Sequence, residues 1–119
     1  MKHTLALVLM VFGIVGCALD TQLDVYSQHN AKPVGCSLDI YRHTDFIKKP
    51  SEVIAFLSFE DGGLAVGCSR EMVMDMMRSN ACEVGADAVL ISNEISPDIS
   101  STCYRADASM LVYKKEEVK

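Results

Sequence analysis

No Cys-x-x-Cys pair occurs in this chain of 119 residues, although it has five cysteines. A thioredoxin-like redox centre is thereby excluded, and the lack of Cys-x-x-Cys-His excludes a c-type haem site. The cysteines are also too scattered for a zinc knuckle. Positive charge is scarce: 11 lysines and arginines stand against 16 aspartates and glutamates, a net charge of −5. With no basic stripe, the chain has no electrostatic footprint for nucleic acid. No apolar run reaches the roughly 20 residues that a membrane-spanning helix needs. The carboxylates are spread out, and none is paired for general acid–base work. Gly62-Gly63 is not followed by the pattern of a phosphate loop. His29 and His43 have no serine or cysteine partner at a recognisable spacing. The chain therefore reads as non-enzymatic, with no cofactor expected.

What is present begins at the amino terminus. Lys2 precedes an apolar run from Leu5 to Val15, which ends in Ile14-Val15-Gly16-Cys17. A charged start, a short apolar stretch and small residues before a cleavage point make a secretory signal peptide. A cysteine at the cleavage point resembles the lipobox of bacterial lipoproteins. Residues 1–16 are then removed and Cys17 carries acyl chains, each buried CH2 contributing about 0.8 kcal/mol of anchoring. The mature chain of 103 residues has a net charge of −6, because Lys2 leaves with the signal. Such a chain forms one small domain, and a domain this small is marginal without added bracing.

Residues 17–35 read as the lipidated cysteine and a polar tether, and residues 36–113 as the globular part. Residues 114–119 are a charged tail. Within the globular part, 37–42 alternates like a strand and 52–60 is the central strand. Asp61-Gly62-Gly63 is a turn. Ser69 is a suitable N-cap for a helix over 70–84, with Val73, Met77, Ala81 and Val84 on one face and Gly85 as its C′ residue. Strands follow at 86–93 and 104–113, joined by a loop. The order β-β-α-β-β predicts an α+β fold: a small mixed four-stranded sheet with one main helix on one face. The strand–helix–strand unit is expected to be a parallel pair, with the last strand returning antiparallel.

With Cys17 taken by lipid, Cys36, Cys68, Cys82 and Cys103 remain, an even number in an oxidising compartment. Three pairings are open to them. Cys68 precedes the helix and Cys103 the last strand. Both fall outside the sheet on the side where the helix begins, which favours Cys68–Cys103 and leaves Cys36–Cys82. Met72, Met74, Met76 and Met77 cluster on the helix. Methionine clusters outside the cytoplasm can bind copper(I), so a small-ligand or metal-binding lipoprotein is the alternative function. The competing reading is that Met74 and Met77 fill core gaps.

Ile40-Tyr41, Cys68 before the helix, the run Gly85-Ala86-Asp87-Ala88-Val89-Leu90 and Cys103-Tyr104-Arg105-Ala106 resemble the RcsF-like family of Rcs phosphorelay stress-sensor lipoproteins. The resemblance covers about residues 34–113. It implies a lipoprotein of the outer membrane, domain in the periplasm, that senses envelope stress through protein contacts. The implied partners are an inner-membrane signalling regulator and outer-membrane barrel proteins. Ala18, rather than Asp, after the lipid cysteine is similar to enterobacterial lipoproteins exported to the outer membrane. The family also bridges the positions of Cys68 and Cys103. Its second disulfide lies around the last two strands, where this chain has Asn93 and Ser109, and its long proline-rich basic tether is missing here.

Overall fold

A computed structural model describes residues 20–60, 68–99 and 101–115. Residues 1–16, read above as a signal peptide, Cys17, the expected turn at 61–63 and most of the tail lie outside the described residues. The elements are β1 (Asp20–Val25), β2 (Asp39–Arg42), β3 (Ser51–Glu60), α1 (Arg70–Glu83), β4 (Ala88–Ile95) and β5 (Arg105–Tyr113). They build an α+β fold in which one helix packs on β4 and β5 of a five-stranded mixed sheet.

The strand order is β1-β3-β5-β4-β2. β1 pairs antiparallel with β3, β5 antiparallel with both β3 and β4, and β2 parallel with β4. Two expectations are corrected. The sheet has five strands, because residues 20–25, read as tether, pair along β3 from Asp20↔Glu60 to Val25↔Ala55. Residues 20–25 thus belong to the sheet. The strands flanking α1 are parallel but not adjacent, because β5 inserts between them as a split β-α-β unit. That insertion gives β5 two hydrogen-bonded neighbours and buries it most completely. β4 also runs on to Ile95, into residues read as loop.

Ser69 caps α1, its hydroxyl accepting from the Met72 N–H at 3.3 Å. The carboxyl end closes on Gly85, whose φ of +82° suits only glycine without strain. There the Gly85 N–H donates to the Cys82 carbonyl and the Ala86 N–H to the Ala81 carbonyl, the paired bonds of a Schellman motif. The core joins Val73, Met74, Met77 and Ala81 of α1 to Ala55, Leu57, Phe59, Val89, Ile91, Ala108 and Met110 of the sheet. Small residues alternate with flexible thioethers, which adapt to uneven space. Met74 and Met77 are thus core residues, while Met72 remains half-exposed.

Candidate functional site

The sheet face away from α1 is the broadest candidate surface. Register places Tyr41, Leu90, Ser109 and Phe56 in one row across it, with Val53, Leu111 and Ala88 in the next. Leu111 and Ala88 are buried, Tyr41, Leu90 and Phe56 half-buried, and Val53 exposed. The 43–50 connection returns on this side. It brings Lys49 Nζ to 4.6 Å from the Tyr113 ring centroid and leaves Phe46 exposed. Tyr41 and Tyr113 share a hydrogen bond of 2.9 Å, and the Tyr113 hydroxyl donates to Asp39 Oδ2 at 2.5 Å. Burial, together with the Asp39 carboxylate, pushes the Tyr113 phenol far above its ordinary range. A neutral tyrosine held this way is a fixed donor and a flat surface. Half-exposed aromatics in a braced network suit protein contact, since aromatics are enriched at the centres of interfaces.

The disulfide frame lies around the other face. Cys68 and Cys103 are bridged, with Cα atoms 4.9 Å apart, tying the start of α1 to the start of β5. The Tyr104 N–H adds a bond to the Cys68 carbonyl at 2.9 Å. Cys36 and Cys82 are bridged with Cα atoms 5.9 Å apart. This second bridge fastens residues 26–38 to the helix end. These residues form a strap, because they must cross from β1 at one sheet edge to β2 at the other.

The strap is held at several points. The Lys32 N–H donates to the Cys82 carbonyl at 2.8 Å, and Lys32 Nζ donates to the Ala86 carbonyl and to Asp87 Oδ1. Burial alone would raise the Asp87 carboxyl, but Lys32 and the Tyr113 N–H at 2.8 Å outweigh it. They hold the group below its ordinary value. A type II-like turn at Pro33–Cys36, with Gly35 at φ +81°, delivers Cys36 to its partner.

A polar cluster closes the opposite end. The buried Tyr104 hydroxyl donates to Glu94, which also pairs with Arg42 at 3.5 Å. Burial and the Glu94 carboxylate push the Tyr104 phenol up to about 12. Every member of this cluster is engaged with another, so it reads as bracing.

The histidines stand apart. His29 lies in the strap, where it contacts the Ser27 hydroxyl at 3.3 Å, and His43 is exposed beyond β2. Met72 and Met76 share a helix face, and among the described residues no group of three His, Cys, Asp or Glu is placed to hold a metal. The surface recesses are open grooves. One of about 440 Å³ lies beside the Cys36–Cys82 bridge, between Val34, Leu38, Asp75 and Arg78. No helix among the described residues is long and apolar enough to cross a membrane. In comparison with known proteins, no family model, no curated protein and no solved structure matches the chain.

Sequence reasoning missed β1, the strap and the tyrosine network. The alternation Thr21, Leu23, Val25 carried the strand signal, but the polar Gln22 and Asp24 between them and the nearby breakers masked it.

Proposed function

We propose that this chain is a lipid-anchored, non-enzymatic protein of the bacterial envelope. It senses the state of the envelope and signals through protein contacts, as an input to an Rcs-type phosphorelay. The observation that carries this reading is the lipobox-like Ile14-Val15-Gly16-Cys17, placed three residues ahead of the first strand. Acylation there puts the domain in an oxidising space, where two disulfides are at home. The sheet face bearing Phe46, Val53, Phe56 and Tyr41 supplies the contact surface. An inner-membrane signalling regulator and outer-membrane barrel proteins are the partners of this reading, and the outer membrane is its location.

Two experiments test it. Metabolic labelling with a fatty-acid analogue is expected to tag Cys17 in a product lacking residues 1–16. Deleting the gene is expected to abolish induction of an envelope-stress reporter. Normal induction under every envelope insult would remove the sensing role, and unlabelled Cys17 would remove the anchor.

A further inference from the structure

We infer that the sheet end carrying Ile95 and Ile99 rests on the surface of the bilayer that holds Cys17, which fixes the orientation of the domain. This inference rests on the lipid-anchor reading above. The first step is chain length. Only Ala18 and Leu19 lie between Cys17 and Asp20, where β1 starts, so the two are three chain steps apart. At no more than ~3.6 Å per residue the chain reaches about 11 Å. The start of β1 is therefore held next to the lipid, with no spacer to carry the domain away.

The second step is register. Asp20 pairs with Glu60, Phe59 with Ala106, and Ile95 with Arg105. The start of β1, the end of β3, the start of β5 and the end of β4 therefore share one end of the sheet. The 96–104 connection projects from that same end. Strands lie about 4.8 Å apart, so β4 is three steps, or roughly 14 Å, from β1. The acyl anchor and the tip of the 96–104 connection thus stand at two corners of one edge.

The third step is what that second corner displays. Ile99 is fully exposed, at 108% of its reference area, and Ile95 is 39% exposed. The backbone beneath them is braced. The Asp98 N–H donates to the Ser101 carbonyl at 2.7 Å and the Ser101 N–H to Asp98 Oδ1 at 3.0 Å. Arg105 pairs with Asp98 at 3.3 Å, and the Cys103 N–H donates to the Ser101 hydroxyl next to the Cys68–Cys103 bridge. A turn tied down this firmly presents its isoleucine outward. An isolated exposed isoleucine needs no explanation. Two of them at the end already drawn to a bilayer match the way apolar side chains seat in the interface between headgroups and acyl chains. The net charge of −6 on the chain from Cys17 onward disfavours anionic headgroups, so the occupant is a zwitterionic bilayer surface. The opposite end, with the strap and the Cys36–Cys82 groove, then points away from the lipid. β3 has 10 residues, so the two ends stand about 30 Å apart.

The chain has no tryptophan, so one introduced indole reports its own surroundings. Full-length protein acylated in cells, carrying either Ile99→Trp or Val34→Trp, is reconstituted into phosphatidylcholine vesicles containing acyl-brominated lipid. Both positions are exposed, Val34 at 94%, so neither change disturbs packing. The Ile99→Trp indole is expected to shift to the blue and lose emission to the brominated lipid. The Val34→Trp indole is expected to keep a water-exposed spectrum and its emission. Vesicle flotation and mass spectrometry of Cys17 are run on the same samples. Acylated, floating protein with no quenching of the Ile99→Trp indole, or with equal quenching at both sites, overturns the docked orientation and leaves the anchor standing. Protein that stays unacylated and does not float overturns the anchor reading and, with it, this inference.

Discussion

Gly85→Ala is expected to destabilise this domain much more than the same change at Gly35. Two separate effects combine. Gly85 has φ +82°, and an L-residue there costs about 1–2 kcal/mol. A Cβ would also lie 2.5 Å from the Asn30 carbonyl oxygen and 2.9 Å from His29 Cβ. The strap cannot simply lift away: the Tyr26 and Ser27 N–H groups, which donate to the Ile54 carbonyl, hold it on one side of the contact, and Lys32 and the Cys36–Cys82 bridge hold it on the other. Forcing extra volume into a packed site costs about 1–3 kcal/mol. The sum is about 3 kcal/mol, which for a domain of this size lowers Tm by about 12–24 °C. Gly35→Ala isolates the first effect, since Gly35 has φ +81° with nothing within 4 Å of its added Cβ. Its expected loss is about 1 kcal/mol, or about 4–8 °C. Calorimetry on the two variants at neutral pH makes the comparison. Equal losses of Tm would show that the strap does not press on the helix end, and the clamped strap would have to be abandoned.

Replacing Cys68 and Cys103 together by serine is expected to cost about 2–5 kcal/mol, because the bridge closes a separation of 35 residues. Replacing Cys36 and Cys82, 46 residues apart, is expected to cost a similar amount and in addition to free the strap to amide exchange. Tyr104→Phe removes a hydrogen bond to a carboxylate and is expected to lose about 2 kcal/mol by denaturant unfolding. The folded Tyr104 keeps its proton up to about 12, above the ordinary 10.0, so its contribution is complete below pH 10 and is lost as pH rises toward 12. Tyr104→Phe should flatten that alkaline slope. The Asp87 carboxyl titrates below its ordinary 3.8, so its contribution is present above about pH 4 and is lost as pH falls below it. Asp87→Asn is expected to cost about 1 kcal/mol at pH 7, a value reduced because the Lys32 pair is about one-third exposed, and to remove that acid step. An unchanged acid limb would take Asp87 out of the strap's support.

Much of the fold was legible locally. Ser69 and Gly85 bracket α1 because a side-chain acceptor and a left-handed residue are what helix ends require. The 52–60 segment declared itself by its run of β-formers, and β5 by strict alternation. The edge strand β1 was hidden, because an edge needs only one apolar face and its acidic residues look like a solvated linker. From the sequence β4 ends at Asn93, since Glu94 opens a stretch with Pro97 and three serines that reads as loop. In the sheet, Asn93 reaches Asp107 and Glu94 instead holds Tyr104. The tyrosine network was illegible for the same reason: Asp39, Tyr41 and Tyr113 are more than 70 residues apart at its ends and meet only through the β2-β4-β5 pairing.

Local chemistry alone specified the helix and its caps, four of the strands and the shortage of positive charge, since each depends on neighbours within a few residues. Tertiary structure decided that β5 sits between β3 and β4, that residues 20–25 complete an edge, and that residues 26–38 are strapped across the helix end. Those outcomes depend on which distant backbone groups find partners and on which cysteine meets which. Such long-range pairing energies leave no periodic trace in the chain itself.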